Sequence, residues 1–304
     1  MRANKPRKRR VLLFTAVFGL AIVGLGWFVV TAVKRHQNTL RLALEVRKGR
    51  RADDRKVRSL LAEGADPNAL LNWSSVSLDS LVERMVTSHQ HAHGTTIFIR
   101  AAGVCDDRVV RSLLDAGADA RDGAFGYTAL TNAVMCHNHR NVALLVASGA
   151  DVNSSGQRVS PLLYTLENPS DIEDLTFLIA HGADVNLQSS SVVPIAYAIN
   201  RDNLEGLKIL LRADADVNRP DFAGETPLMC AALYGETDAI PILLDSGADR
   251  TLRDKKGRTA EQIAISFGHR QAAQLLHNYR PHSAGRASRA SRRSRRSEPK
   301  IALP

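Results

Sequence analysis

The apolar positions of this chain recur in short helical stretches that end in the same three residues. Between residues 34 and 280, Leu, Val, Ile and Ala return every three or four positions, which places them on one face of a helix. Gly-Ala-Asp closes these stretches at Gly64, Gly117, Gly149, Gly182 and Gly247, and Asp-Ala-Asp does so at Asp214. From Gly117 onward the copies return at a nearly constant interval, which predicts stacked helical repeats rather than one globular core.

Each repeat is predicted to contain two short antiparallel helices joined by a turn. The second helix is illustrated by residues 142–148, which precede Gly149 at the point where a helix end needs a left-handed residue. The first helix opens with Thr226-Pro227-Leu228 or a variant such as Ser160-Pro161-Leu162. Thr or Ser caps the free N–H groups, and Pro at the first helical position has no N–H to leave unpaired. The pattern therefore predicts about seven helix pairs.

These motifs resemble the ankyrin repeat, in which Thr-Pro-Leu-His-x-Ala opens the first helix and Gly-Ala-Asp closes the second. Residues 224–249 carry the best match. The resemblance implies an all-α fold over residues 34–280, an ankyrin-repeat solenoid of helix-turn-helix units with short β-turn tips. It also implies a protein-binding scaffold without catalytic activity. The motif's histidine is replaced by Thr131, Leu163, Ala196, Met229 and Gln262, so we do not expect the hydrogen bonds that it makes between repeats.

One interval is too long for the period. The first two Gly-Ala-Asp copies are 53 residues apart, which predicts an insertion near residues 68–94 that leaves the stack as a loop. Within it, residues 78–86 have helical spacing and predict an extra helix. His89, His91 and His93 alternate, and in an extended segment they would face one side and could bind one metal ion. The competing interpretation is a polar, flexible insertion.

The N-terminal region predicts a membrane anchor. Residues 1–10 form a basic tail with six Lys or Arg, and residues 11–33 contain no charge. As a helix, 23 residues span about 35 Å, enough for a hydrocarbon core of about 30 Å. Trp27 and Phe28 lie near one end, as in an aromatic belt. The alternative is a signal peptide cleaved after residues 30–32, although this apolar run exceeds the usual length of about 7–15 residues.

The charge distribution gives two opposing indications of orientation. The short basic tail resists translocation, which favours repeats on the non-cytoplasmic side of a single-pass membrane protein, at the plasma or inner membrane in a bacterium. Residues 34–58, with a net charge of +7, would instead suit an anionic cytoplasmic leaflet. We predict the non-cytoplasmic side.

The overall basicity is terminal. Of the net charge of +10, residues 1–10 carry +6 and residues 281–304 carry another +6, so the rest of the chain has a net charge of −2. A nucleic-acid-binding body is therefore disfavoured. The Arg/Ser-rich tail at 281–304 is predicted to be disordered, and it either binds an anionic surface or is simply solvated.

Little in the sequence indicates chemistry. The three cysteines, Cys105, Cys136 and Cys230, form no zinc-ligand spacing, and Cys230 is expected in the core. His137 and His139 fall where the two helices of a repeat are joined, and they are predicted to be turn residues. Since the chain shows no nucleophile with a base and no glycine-rich phosphate loop, we predict no enzyme and no cofactor.

Protein binding is the favoured function, at residues that the resemblance places on turn tips and at the exposed ends of first helices. These candidates are Phe125, Tyr127, Met135, Asn200, Arg201, Phe222, Glu225, Leu233 and Tyr234. Exposed aromatic side chains at such positions are typical of contact sites, although Leu233 and Tyr234 could instead pack on the next repeat. We therefore predict a membrane-anchored scaffold with an unidentified protein partner. A secreted protein and a metal-binding protein are the alternatives.

Overall fold

The computed structural model describes residues 30–71, 95–121, 123–124, 127–154, 159–168, 171–188 and 192–280. The chain divides after Phe125 into two compact blocks, which we call the N-terminal and C-terminal blocks. Each block consists of helix pairs, numbered here as repeats 1 to 7 in chain order. The insertion's residues 72–94, with the three alternating histidines and the proposed extra helix, lie outside the described residues, as does the tail at 281–304.

The N-terminal block contains repeats 1 and 2. Helix α1 covers residues 30–46 and is followed by a 3₁₀ turn at Gly49–Arg51 and by α2 (Asp54–Ala62). Repeat 2 consists of α3 (Ile97–Val104) and α4 (Asp107–Asp115). Strands β1 (Leu70–Leu71) and β2 (Thr95–Thr96) pair antiparallel, with Leu70 opposite Thr96, and β3 covers Gly123–Ala124. The two ends of the insertion are thus held side by side.

The C-terminal block contains repeats 3 to 7 and begins with strand β4 (Tyr127–Thr128). First helices pack side by side, α5 on α7, α7 on α9, α9 on α11 and α11 on α13, and each also packs on the second helix of its own repeat. The helices are α5 (Ala129–Met135), α6 (His139–Ala147), α7 (Pro161–Thr165), α8 (Ile172–Ala180), α9 (Pro194–Asn200), α10 (Leu204–Arg212), α11 (Pro227–Tyr234), α12 (Ala239–Asp245), α13 (Ala260–Ser266) and α14 (Arg270–Asn278).

The recurring Gly-Ala-Asp ends the second helices as the sequence predicts. The glycines of all five copies have φ between 88° and 94°, the left-handed region that a residue without Cβ adopts freely. Asp214 takes the same position with φ of 61°. The aspartate that follows accepts a hydrogen bond through Oδ1 from the backbone N–H two residues later, as Asp184 does from Asn186 at 2.8 Å. The motif therefore terminates the helix and starts the next turn.

The asparagine two residues after this aspartate links consecutive repeats. Asn153 donates through Nδ2 to the carbonyl of Gly182 at 3.1 Å and accepts at 2.8 Å from the N–H of Asp184. Asn218 makes the same pair of bonds to Gly247 and Asp249 at 3.3 and 2.7 Å. These asparagines therefore supply recurring hydrogen bonds between repeats. The expectation that the replaced motif histidine leaves that position without such bonds stays a prediction.

Hydroxyl side chains cap four of the first helices. Thr96, Thr128, Thr226 and Thr259 each accept a hydrogen bond from the N–H three residues later. Two replacements of the motif histidine, Thr131 and Gln262, return a bond to the N–H of the cap residue. The capping expected of Ser160 is wrong, because its side chain makes no capping bond and α7 is only five residues long.

Both helices of each repeat contribute apolar residues to the core, and one leucine recurs at the same place in the second helices. The leucine four residues before the turn glycine, or before Asp214, is buried in each of repeats 1 to 6, at Leu60, Leu113, Leu145, Leu178, Leu210 and Leu243. Cys230 and Cys105 are buried, and Cys136 is exposed. This spacing matches the apolar stripe predicted for a helix that faces a neighbour on one side only.

In the described part of the chain, no helix is both long enough and apolar enough to cross a bilayer. Most of the predicted span at 11–33 lies outside that part, and its last residues, 30–33, are exposed on α1. The membrane anchor stays a prediction.

Candidate protein-binding surface

Three tyrosines follow one another along repeats 3, 4 and 5. Tyr164 and Tyr197 each stand four residues after the cap residue of α7 and α9, and these two helices pack against each other. Tyr127 lies on β4, one residue before the cap of α5. All three side chains are partly exposed. The repeat period places Tyr164 beside Tyr197, and Tyr127, which interacts with Tyr164, adds a third ring to the row.

The last tyrosine of the row is held by a charged pair. The hydroxyl of Tyr197 donates a hydrogen bond to Oε1 of Glu167 at 2.7 Å and accepts one from Nη2 of Arg201 at 3.0 Å. The guanidinium of Arg201 lies 5.0 Å from the centre of the Tyr197 ring and 3.6 Å from Glu167. The side chains of Glu167 and Arg201 are each 45% exposed. The arginine is therefore fixed in position over an aromatic ring while part of it faces solvent.

The phenol groups of Tyr164 and Tyr197 are neutral at physiological pH. Burial raises the pKa of Tyr164 to about 12, and the neighbouring Tyr127 and Glu167 contribute in the same direction. Burial and then Glu167 also raise the pKa of Tyr197, although the guanidinium of Arg201 acts in the opposite direction. The hydroxyls of Tyr164 and Tyr197 thus keep their protons, and the proton of Tyr197 is the one that it donates to Glu167.

We call these five residues, Tyr127, Tyr164, Tyr197, Glu167 and Arg201, the tyrosine–arginine surface. Tyrosine and arginine are the residue types that most often dominate the energy of protein interfaces, since they bury large area and make directed polar contacts. Two of the candidates from sequence, Tyr127 and Arg201, belong to it. The sequence analysis missed Tyr164, Tyr197 and Glu167. The separation of Tyr164 from Tyr197 by one full repeat was the signal that could have found them.

A second group of candidates lies in repeat 6. Phe222 is 64% exposed in the turn before α11, and Tyr234 is 49% exposed at the end of that helix. Leu233 is partly buried and its carbonyl is 3.0 Å from Nε2 of His269 in repeat 7. Glu225 is partly buried, and its pKa is raised by burial and by the nearby Asp221. Structure thus separates the two aromatic candidates, which are exposed, from Leu233, which contacts the next repeat.

The other candidates are dispersed. Met135 is 40% exposed at the end of α5, and Asn200 is exposed at the end of α9, next to Arg201. Phe125 lies outside the described residues, as do His89, His91 and His93. Elsewhere, in the residues that the structure describes, no three His, Cys, Asp or Glu side chains lie close enough together to hold a metal ion.

An open cavity of about 320 Å³ lies between α10 and α12, on the side of the second helices. Its two cationic groups, Lys208 and Arg212, both approach Glu205, at 3.3 and 4.0 Å. Their charge is therefore partly neutralised within the protein, which makes the cavity a poor site for a small anion. The lining consists of Lys208, Leu211, Arg212, Ala215, Ile242, Asp245 and Ser246.

Comparison with known proteins assigns the family. A sequence model described as "Ankyrin repeats (3 copies)" matches residues 51–156, 98–189 and 195–284. The chain belongs to the ankyrin repeat family. The stacked helix pairs and left-handed turn glycines of the structure are those expected of ankyrin repeats, which generally act as non-catalytic modules that bind other proteins.

Individual relatives match only part of this ankyrin protein. Mouse ankyrin repeat domain-containing protein 37 is 36% identical over 78 residues, which cover 26% of this chain and 49% of that protein. Dauer abnormal formation protein 25 of Caenorhabditis elegans is 36% identical over 80 residues, 26% of this chain and 21% of its own length. An ankyrin repeat protein of Rickettsia bellii is 34% identical over 84 residues, 26% of this chain and 50% of its own. The matched stretch is thus half or less of each relative.

Proposed function

We propose that this ankyrin protein is a membrane-anchored scaffold that binds a protein partner through the tyrosine–arginine surface and catalyses no reaction. The observation that carries the proposal is the row Tyr127, Tyr164 and Tyr197, which ends at a guanidinium held by Glu167. The contacts of Tyr197, Glu167 and Arg201 hold these side chains in place before a partner arrives. Little side-chain entropy is therefore lost on binding, and more of the contact energy contributes to affinity.

The partner is expected to combine polar and apolar groups. The three rings offer flat apolar faces, their hydroxyls offer polar atoms, and Arg201 offers a cation that already has one carboxylate beside it. A protein segment that presents a carboxylate next to aliphatic side chains would satisfy all three features. Phe222 and Tyr234, exposed in repeat 6 of the same block, would extend the contact along the array.

Cross-linking at defined positions tests the binding surface. A photoreactive amino acid at Tyr197 in the full-length protein, in its native membrane, is expected to capture one partner reproducibly. The matched control is the same amino acid at Thr176, an exposed position on α8, the second helix of repeat 4. Equal capture of the same protein from both positions would contradict a surface confined to the first helices.

Substitutions then measure what each group contributes. Arg201→Ala and Tyr197→Phe remove the guanidinium and the hydroxyl, and each is expected to weaken partner binding by about tenfold or more, because such groups are typical hot spots. Thr176→Ala is expected to leave the affinity unchanged. Loss of affinity in all three variants alike would indicate a general effect on folding, which circular dichroism of each variant would reveal.

The anchor is supported by sequence alone, through the uncharged run at 11–33 and its basic flanks. We expect the protein to stay with membranes after alkaline extraction, and a variant without residues 11–33 to be released. Protease added to spheroplasts or sealed vesicles tests the proposed non-cytoplasmic placement of the repeats. A mature N-terminus at Val33 would rule out the anchor and indicate a secreted protein.

A further inference from the structure

Two buried carboxylates lie at the junction of repeats 3 and 4. Asp171, at the start of α8, is 6% exposed, and Asp174, one turn further, is 3% exposed. Repeats 6 and 7 have Ala239 and Ala272, 1% exposed in each case, at the position of Asp174. A charged residue therefore replaces a small apolar one in the core. Removing a carboxylate from water is unfavourable unless a nearby group compensates its charge.

The compensating groups are two histidines from the preceding repeat. Nδ1 of His137 lies 2.8 Å from Oδ2 of Asp171, and Nδ1 of His139 lies 2.8 Å from Oδ2 of Asp174. The imidazoles reach solvent, with side chains 52% and 43% exposed, whereas the two carboxylates are almost fully covered. The first pair thus connects the turn between α5 and α6 to the start of α8, and the second pair connects the first residue of α6 to α8. Each pair has one group that can exchange protons with water.

The contacts depend on charge more than on aligned hydrogen bonds. In the part of the chain that the structure describes, neither Oδ2 atom accepts a hydrogen bond of good geometry. An imidazolium this close still attracts a buried carboxylate strongly, because attraction between charges needs no particular N–H direction. A neutral imidazole in the same place attracts it far less. The benefit of each contact therefore follows the protonation of the histidine.

The other charges near these pairs do not replace the histidines. Burial raises the pKa of Asp174, whereas His139 lowers it and the neighbouring Asp171 and Glu173 raise it. Of the helices packed against α6 and α8, α5 carries no ionisable group and α7 carries only Tyr164, whose pKa is about 12. The remaining charged groups on the packed helices are Arg140 on α6, Glu173 on α8 and Glu205, Lys208 and Arg212 on α10.

We propose that His137 with Asp171 and His139 with Asp174 form a histidine clasp, which tightens the junction of repeats 3 and 4 when the surroundings become acidic. Imidazole side chains ionise in the range between about pH 5 and 8, so the clasp responds within the physiological range. The clasp concerns the stability of the junction itself and does not depend on the identity of any partner.

The direction follows from proton binding. When the two imidazoles carry a proton, their attraction to the buried carboxylates stabilises the assembled junction, and a separated junction lacks this attraction. A state that binds more protons is stabilised as the pH falls. Asp174 contributes in the same direction, because its raised pKa means that burial penalises the charged form at neutral pH and that acidification relieves this penalty. Junction stability is therefore lost as the pH rises.

Hydrogen exchange of the full-length protein tests the clasp. Peptides that cover α8 would be compared at about pH 5.5 and about pH 8, with the intrinsic pH dependence of exchange removed. In the wild type we expect protection of α8 to be about tenfold higher at the acidic pH, because the charge attraction between the imidazoles and the buried carboxylates is then present. In the double variant His137→Asn/His139→Gln, the ratio of α8 protection at the acidic pH to that at the alkaline pH is expected to fall close to one.

Two further variants keep the result unambiguous. His277→Gln removes a histidine that lies 3.0 Å from Glu261 but is exposed, with side-chain exposures of 70% and 40%, and it should leave the α8 ratio at its wild-type value. The double variant Asp171→Asn/Asp174→Asn removes the carboxylates of the clasp, and its ratio of α8 protection at the two pH values should also fall close to one. Protection of α14 would confirm that each variant is folded. A ratio close to one in the wild type, or an unchanged ratio in either double variant, would overturn the proposal.

Discussion

The junction of repeats 3 and 4 and the junction of repeats 6 and 7 have different residues at the same two positions. These positions are the turn after a first helix and the residue before the second helix of the next repeat. At repeats 6 and 7, the turn residue is Gly235 and the residue before the second helix is His269, whose Nε2 lies 3.0 Å from the carbonyl of Leu233. At repeats 3 and 4, the turn residue is His137 and the residue before the helix is Asp171. One junction joins a side chain to the backbone, and the other joins an imidazole to a carboxylate.

The difference shows which parts of the repeat are interchangeable. His137 has φ of 54°, the same left-handed region as Gly235 at 75°, so the backbone path is kept although the residue is not glycine. The core position next to it changes from an alanine to Asp174. Since the leucines and turn glycines are shared, these positions set the fold, and the turn and cap positions vary the chemistry of each junction without changing the fold.

The largest effect is expected from moving a buried carboxylate into the apolar junction. Ala239→Asp places a charge at a position only 1% exposed, with no histidine in the turn of the preceding repeat, and should cost about 3–5 kcal/mol, as an uncompensated buried charge does. Hydrogen exchange of α12 and α14 would measure the loss. The reverse change, Asp174→Ala, should cost far less, since it leaves only an exposed imidazole unpaired. Equal losses of stability in Ala239→Asp and Asp174→Ala would show that the two junctions tolerate a buried carboxylate equally well.

An intermediate effect is expected at the turn glycine of repeat 6. A Cβ at Gly235 would lie 2.6 Å from Nδ1 of His269, and φ of 75° is unfavourable for any residue with a side chain. Gly235→Ala should therefore destabilise the junction by about 2 kcal/mol, through backbone strain together with displacement of His269. The midpoint of thermal unfolding would report it. The control is Gly257→Ala, which has a similar φ of 76° but open space around the new methyl group, so its smaller loss would give the backbone part alone.

The smallest effect is expected at the caps of the first helices. Thr226 accepts the N–H of Met229 in repeat 6, so Thr226→Ala should cost about 1 kcal/mol. Ser160 stands at the same position in repeat 4, but its side chain caps nothing. Ser160→Ala should therefore change the stability very little. Urea unfolding of both variants would compare them, and a clear loss for Ser160→Ala would show that repeat 4 is capped after all.

The repeat architecture was predictable because it depends on local rules. Gly149 must be left-handed for its helix to end, and Thr226 must accept N–H groups for its helix to begin, so both roles can be assigned from the sequence. Even the departure at Asp214 was placed correctly, with φ of 61°. The failed cap at Ser160 was not predictable, because it depends on how the short helix α7 leaves the hydroxyl inside the packed junction.

The candidate surface was predicted only in part because its residues belong to different repeats. Tyr127 and Arg201 were identified by their places within single repeats, whereas Tyr164 matters because Tyr197 stands beside it on the next helix. The same reason explains His137. Its position in a turn was correctly predicted, but its partner Asp171 belongs to the next repeat and becomes a neighbour only through stacking. These neighbours could therefore have been found by comparing equivalent positions in adjacent repeats.

The pairing of β1 with β2 explains how the inserted segment can vary in length and sequence without disturbing the repeats. Leu71 lies opposite Thr95, so the described residues on either side of the 23-residue segment are neighbours. Leaving the segment out of the 53-residue interval gives a spacing of 30, close to the ordinary period. Doubling the length of a closed loop costs only about 0.6 kcal/mol of chain entropy. The segment between Leu71 and Thr95 can therefore be exchanged for another, in evolution or by protein engineering, while the helices on either side keep their register.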